Sequence, residues 1–320
     1  MLGNAFLDRL VIGSVSTCRS HIYQRRFIAS LNRRTSQDCL TPRCFLKGAS
    51  DRYLLWVFAN GFKLDYTPDE LIPRLPDDDI QRNWTGATGE NTLREALHFF
   101  QIVCAMSRDY SKEIGENSPV LDYGCGWGRV IRFFLRDVNH NNLHGCDCYP
   151  EALELAKSQN RWCHFELIKP FPPTLFSSNT FDIIYLFSVF SHLAEDIHLE
   201  LLREFHRLLR PGGLVIATTR TREHILVCER IRRQGNVAIQ ERGQSVSFVE
   251  TEYFLNQYDR GLFCHSPSGG GGVLEPSYYG ESCISRKYVE RVWTRWFDVM
   301  EYRYADRKCN QNTICCRKRV

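Results

Sequence analysis

From Val120 onward, short apolar runs alternate with segments whose apolar residues recur at helical spacing. Val120–Tyr123, Leu143–Cys148 and His164–Ile168 read as strands, with helices over Gly128–Val138 and Pro150–Asn160 between them. Phe181–Val189 is nearly continuous apolar sequence, as a parallel strand buried on both faces requires. In Asp196–Arg210, Ile197, Leu201, Phe205, Leu208 and Leu209 fall on one side of a helix, which Pro211-Gly212-Gly213 ends before a strand over Leu214–Thr219. A helix around Arg286–Trp296 and strands over Phe297–Tyr304 and Thr313–Arg319 close the chain, the last two forming an antiparallel hairpin. This alternation predicts a doubly wound α/β sheet.

Upstream, Thr88–Arg108 is helical, with Leu93, Ala96, Leu97, Phe100 and Val103 in register. Residues 1–80 lack such a pattern, apart from the apolar run Leu54–Phe58 and a Pro-bounded turn over Thr67–Pro73. The expected organisation is an extension over 1–85, acting as a cap or targeting segment, and a main domain over 86–320 with an insertion at 221–284. The insertion holds four consecutive glycines, Gly269–Gly272. They make either a plain surface loop or a lid over a cavity.

Composition narrows the class. A chain of 320 residues with 43% hydrophobic and 24% charged residues buries a core without disulfides. A net charge of +4 disfavours a dedicated nucleic-acid protein, although residues 286–320 carry ten Lys/Arg against four Asp/Glu. The fourteen cysteines form no CxxC pair and several fall inside strands, so they read as reduced, mostly buried thiols with no metal site. No apolar run is long enough to span a bilayer. The first 35 residues contain six Arg and one acid, Asp8, a composition shared by basic first helices and organellar targeting segments. The expected compartment is the cytoplasm, with an organelle as the alternative.

The chemistry-bearing stretch is Leu121-Asp122-Tyr123-Gly124-Cys125-Gly126-Trp127-Gly128, a glycine turn between a strand and a helix. Glycines there let the chain turn sharply and let a ligand lie against the backbone. Arg129 stands where a dinucleotide fingerprint has its third glycine, and the Gly-Lys-Ser/Thr of a P-loop is missing, so a ligand without pyrophosphate fits better. Asp147 ends the second strand, where a carboxylate either accepts hydrogen bonds from ribose hydroxyls or stabilises the following helix N-terminus.

These residues resemble class I S-adenosylmethionine-dependent methyltransferases. Leu121–Arg129 is similar to the family's first motif and Gly145-Cys-Asp147-Cys-Tyr-Pro150 to its acidic second motif. Phe181–Leu193, with Ser188-Val-Phe-Ser-His192-Leu, resembles its fourth-strand motif, and Leu208-Leu-Arg-Pro-Gly-Gly213 the turn before the fifth strand. The resemblance covers roughly residues 118–220. It implies a Rossmann-like, seven-stranded, mostly parallel sheet with an antiparallel last strand, and S-adenosylmethionine as cofactor. It assigns Asp122, Gly124, Cys125, Gly126 and Gly128 to the methionine end and Asp147 to the ribose. Cys148 and Tyr149 would flank the adenine and Leu167–Lys169, including Ile168, its other edge, with Phe187 completing the wall. Many members carry an acid near position 168, where this chain reads Glu166-Leu-Ile-Lys169.

His192, just past strand four, is the candidate general base and acceptor-binding residue, with structural roles as alternatives. Tyr279, His265 and Glu281 are weaker candidates, and Trp84, Tyr278, Trp293 and Trp296 could line an acceptor cavity. The family's DNA amino-methylation turn after strand four is replaced by Phe187-Ser188-Val189-Phe190, and the Pro-Cys of cytosine C5 chemistry is absent. What remains is a small-molecule acceptor with an oxygen or nitrogen nucleophile; the alternatives are a protein acceptor or a cofactor-binding protein without catalysis.

Overall fold

The computed structural model describes residues 20–29, 41–64, 71–111, 113–238 and 241–320. Its strands are β1 Val120–Tyr123, β2 Leu143–Asp147, β3 His164–Leu167, β4 Phe181–Leu186, β5 Leu209–Thr219, β6 Cys264–Pro267, β7 Gly280–Cys283, β8 Phe297–Arg303 and β9 Asn312–Lys318. Seven of them form one sheet in the order β3-β2-β1-β4-β5-β9-β8, while β6 and β7 pair separately. β1 to β5 run parallel, and β9 lies antiparallel between β5 and β8. This is the expected α/β architecture with a reversed last strand. The strand order reverses beside β1, where Asp122 sits opposite Gly145 on β2 and Tyr185 on β4. In open parallel sheets that switch point is where ligands bind, at the carboxyl ends of the strands.

The helices are α1 (20–29), α2 Pro42–Leu46, α3 Asp51–Asn60, α4 Asp78–Thr85, α5 Gly89–Tyr110, α6 Pro150–Gln159, α7 Glu195–Leu208, α8 Arg222–Gln234, α9 Arg242–Val246, α10 Thr251–Asp259 and α11 Arg286–Val292. On one face of the sheet α3 and α5 pack through Phe58, Phe99 and Phe100 against Phe133, Phe134 and Tyr185. Phe134 stacks on Tyr185 at 5.2 Å. On the other face α7 and α11 bury Leu201, Phe205, Tyr288 and the following Trp293. Both faces are covered, which is why β1 and β4 are apolar almost without interruption.

Several expectations change. The stretch before residue 80 read as patternless because α3 buries Tyr53 through Ala59 in succession and so shows no amphipathic period. Its start is nevertheless capped, Tyr53 N–H donating to Ser50 Oγ at 3.3 Å. The expected helix Gly128–Val138 is instead a 3₁₀ segment, Ile131–Arg136. Arg132 is fully buried, and its Nε and Nη1 donate to the Gly128 and Arg74 carbonyls at 3.1 Å each. The guanidinium thereby takes the Gly128 carbonyl that a regular helix would use for its own ladder. The turn Thr67–Pro73 lies mostly outside the described residues, as does much of the Arg-rich N-terminus.

The insertion at 221–284 folds into α8, α9, α10 and the β6–β7 pair around a small core of Ile225, Cys228, Phe248, Leu255, Tyr258, Cys264 and Cys283. It is stitched to the loop after β4: Gly280 and Ser282 N–H donate to the His192 and Ser191 carbonyls at 2.8 Å, and Ala194 N–H to Tyr278 O at 2.9 Å. In the basic C-terminal region Arg286 pairs with Glu290, Arg303 with Glu301 and Arg319 with Asp298, while its ten Lys/Arg still outnumber its four acids. The cysteines among the described residues are all free. Among the described residues no group of His, Cys, Asp and Glu is placed to hold a metal ion, and no helix is long and apolar enough to cross a membrane.

Candidate cofactor and acceptor site

β1 ends in a tight turn in which Gly124, Gly126 and Gly128 have φ of +71°, +52° and +75°, a region that side chains with a Cβ avoid. The Gly124 and Cys125 amides donate to Cys146 O at 2.8 and 3.0 Å, fastening the turn to β2. A Cβ on Gly124 would stand 2.4 Å from Val189 Cγ2, whereas one on Gly126 would point beneath the Trp84 ring. Gly128 stands apart from the other two glycines. It is not among the residues lining the cavity; its amide donates to Cys125 O at 2.9 Å, and a Cβ there would stand 3.3 Å from Phe165 Cζ, so it closes the turn.

Two carboxylates meet at this turn. Asp147 Oδ2 accepts from Gly126 N at 2.8 Å and Oδ1 from Tyr149 N at 2.9 Å, so the side chain braces the turn and the entry to α6 together. Burial pushes its carboxyl above the usual range. Asp122 is almost fully buried, and burial, reinforced by the nearby Asp147 charge, pushes its carboxyl up to about 7. Its Oδ2 makes no regular hydrogen bond among the described residues, although the Tyr185 hydroxyl is near enough to favour the charged carboxylate. A buried carboxylate oxygen without a regular hydrogen bond at the edge of a cavity is the feature that an amino-acid ammonium group would complete.

The cavity occupies about 480 Å³ and runs along the carboxyl ends of β1, β2 and β4. Asp122, Gly124, Cys125 and Gly126 form its floor; Asp147, Cys148 and Ile168 one wall; Phe187, Ser188 and His192 the other. Its roof comes from two places distant in sequence, Trp84 on α4 and the Gly270–Tyr279 segment of the insertion. Trp84 meets Tyr149 edge-on at 5.9 Å. Of the glycine run Gly269–Gly272, Gly270 is the member that lines the cavity.

At the far end Ser188 has φ +63°, a strained conformation for a residue with a side chain. It is held there by its amide, which donates to Thr218 Oγ1 at 2.7 Å, and Thr218 in turn donates to Gln311 Oε1 at 2.9 Å. His192 follows one turn later. Its Nδ1 lies 2.8 Å from Gly280 O and its Nε2 3.5 Å from Ser188 Oγ, and its ring stacks on Tyr279 at 5.0 Å and 7°. Burial lowers the His192 pKa, against the pull of Glu281, so the ring is neutral near pH 7.

Other candidates are redistributed. Tyr278 and Tyr279 line the cavity, but Trp293 is fully buried on the opposite side of the sheet, donating to His198 Nε2 at 3.0 Å, and Trp296 packs in the same cluster. Leu167 is half-exposed, leaving Ile168 and Lys169 to face the cavity. His265 accepts from or donates to Ser282 Oγ at 2.8 Å, within the insertion. Glu281 is a buried carboxylate in contact with His192, His224 and Arg220 rather than a surface group. Sequence reading missed Arg129, which bonds Glu95 at 2.8 Å and lies over the Phe187 ring at 5.0 Å. It also missed Arg220 and His224, which no motif marks.

Residues 120–213 match the family model described as a methyltransferase domain, and the chain carries a class I S-adenosylmethionine-dependent methyltransferase domain there. Among known proteins it is similar to the tRNA N(3)-cytidine methyltransferase METTL2 of Mus musculus, 27% identical over 111 residues; the match spans 30% of this chain and 27% of that relative's length. Solved structures with a similar fold include a putative S-adenosylmethionine-dependent methyltransferase from Listeria monocytogenes, at 12% identity and TM-score 0.47 over 71% of this chain and 99% of that one. Another is a methyltransferase from Methanosarcina mazei, at 15% identity and TM-score 0.45 over 67% of this chain and 97% of that one.

Proposed function

We propose that the protein transfers a methyl group from S-adenosylmethionine to an oxygen or nitrogen atom of a small molecule. The observation that carries this reading is one cavity whose lining includes both the glycine turn and His192 and Tyr279. Its volume of about 480 Å³ lies in the usual range for small-molecule sites. When bound, the cofactor supplies a methyl group already activated on a sulfonium.

The chain's own residues bind, orient and exclude water. Asp122 takes the ammonium of the methionine end on its Oδ2, and the backbone of Gly124–Gly126 lies along the same end. Asp147, whose two oxygens each keep a lone pair beyond their backbone bonds, takes the ribose hydroxyls. Cys148, Tyr149 and Ile168 enclose the adenine, and Phe187 closes the wall toward the acceptor. His192 and Tyr279 hold the acceptor at the other end. Holding two reactants in line in a dry site supplies most of what such a displacement requires.

The test is incubation of the purified protein with methyl-labelled cofactor and a cell extract, fractionated into proteins, nucleic acids and small molecules. Label in the small-molecule fraction is expected. Label confined to RNA would support a second reading, favoured by the likeness to a tRNA methyltransferase over 30% of the chain. Label confined to protein would overturn the small-molecule acceptor as well. Failure to bind S-adenosylhomocysteine in titration calorimetry would sink methyl transfer itself.

A further inference from the structure

The insertion brings a charged group to the back of the acceptor end. Glu281 on β7 is 5% exposed. Its Oε1 lies 3.6 Å from His192 Nδ1, and its Oε2 lies 2.7 Å from His224 Nε2 on α8 and 3.4 Å from Arg220 Nε at the end of β5. Burial opposes its charge, but the hydrogen bond from His224, the Arg220 guanidinium and, whenever it is protonated, His192 hold the carboxyl below the ordinary carboxylate range. Glu281 is therefore ionised, and His224 donates to it from Nε2. His192 Nδ1 faces the Gly280 carbonyl at 2.8 Å, an oxygen that can only accept, so this nitrogen carries the ring proton. Nε2 is left with its lone pair, on the side of Ser188 and the cavity.

We propose that Glu281 is the positioning residue that makes His192 the proton acceptor of the reaction, and that the methyl acceptor is a hydroxyl compound or a protonated amine. This rests on the methyl-transfer reading above. The acceptor's proton passes to His192 Nε2, an electron pair of the acceptor atom forms the new bond to carbon, and the pair of the breaking carbon–sulfur bond stays on sulfur. The imidazolium formed sits between the Glu281 carboxylate and the face of Tyr279, both of which favour positive charge. Before the reaction the cluster holds one negative Glu281, one positive Arg220 and two neutral histidines; protonation of His192 brings it to a net charge of +1, with the new imidazolium facing the Glu281 carboxylate. Arg220 and His224 press the His192 pKa down, Glu281 and the Gly280 carbonyl raise it, and His265 is the next titrating group beyond. An acceptor with a free lone pair and no proton to lose would need none of this.

The full chain labelled with 15N-histidine, saturated with S-adenosylhomocysteine, tests the assignment by NMR, with the His192 signals identified from their loss in His192→Gln. The expected result is a neutral His192 protonated at Nδ1, whose pKa falls by about one unit or more in Glu281→Gln. A ring protonated at Nε2, or a pKa unmoved in the folded variant, overturns the proposal. If Glu281→Gln does not fold, Glu281→Asp is the second variant, and a His192 pKa equal to the wild type's overturns the proposal; a wild-type ring protonated at Nε2 overturns it without any variant. The wild-type tautomer can also be read without ligand, so a failure to bind S-adenosylhomocysteine counts against methyl transfer and not against this arrangement. In the extract experiment, label on an atom with no proton to lose, such as a pyridine-type ring nitrogen, overturns the acceptor class while leaving methyl transfer intact.

Discussion

Replacing Asp122 by Asn should make the ligand-free protein more stable at alkaline pH while weakening its grip on the cofactor. The carboxyl titrates near 3.8 when exposed and near 7 in the fold, because burial disfavours its charged form and Asp147 adds a like charge. A raised carboxyl lends its stability in full below pH 3.8 and loses it as the pH rises through 7. At 1.36 kcal/mol per pH unit, the folded state carries a handicap of about 1.5 kcal/mol at pH 5 and about 4 kcal/mol, as a ceiling, above pH 7. Asn removes that dependence, although its buried amide hydrogens add a penalty of about 1–3 kcal/mol at every pH where they lack acceptors. The quantity to read is thus the difference between variant and wild type. It should shift in favour of the variant by about 2–3 kcal/mol between pH 5 and pH 8 in urea denaturation without cofactor. Titrating groups that do not interact with Asp122 cancel in this difference. Calorimetry with S-adenosylhomocysteine should show roughly ten- to hundredfold weaker binding, the loss of one charge-assisted hydrogen bond. A stability difference that stays flat from pH 5 to 8, or a variant that binds as well as the wild type, would refute the argument.

Asp147→Ala should weaken S-adenosylhomocysteine at least about tenfold and lower stability by about 1–3 kcal/mol, since the Gly126 and Tyr149 amides lose their acceptor; unchanged affinity in calorimetry would count against the ribose assignment. Trp84→Ala removes part of the roof and an edge-on contact with Tyr149, so binding should weaken roughly three- to tenfold with little change in melting temperature. Equal affinity would mean that α4 does not close the site. On the far side of the sheet, burial holds the His198 ring down to about 3, so it stays neutral in the fold while the unfolded chain protonates near 6.5. Its contribution is present above pH 6.5 and is lost as the pH falls toward 3; His198→Gln, which keeps an acceptor for Trp293, should flatten that acid limb in urea melts at pH 7 and pH 4.5. An unchanged limb would place the acid sensitivity elsewhere.

The chain's local pattern determined the sheet and the cofactor end of the site. Strands buried on both faces read as unbroken apolar runs, and a turn that must adopt positive φ three times reads as spaced glycines, so Val120–Gly128, Asp147 and Phe181–Phe187 carried their positions openly. Elements buried all round were harder to recognise, because a helix such as α3, or the short 3₁₀ segment around Arg132, loses the periodicity that marks a half-exposed helix. At the other end of the cavity the sequence offered His192, Tyr279, Glu281 and Trp84 only as separate candidates, and tertiary structure joined them. Trp84, His192, Arg220, His224 and Glu281 span nearly two hundred residues, and no spacing rule links them. They meet because the insertion's β7 hydrogen-bonds to the loop after β4 and α4 folds across the turn after β1. A carboxylate such as Glu281 shows its charge in the sequence, but which groups surround it, and therefore what it can do, is set only when the chain has closed around it.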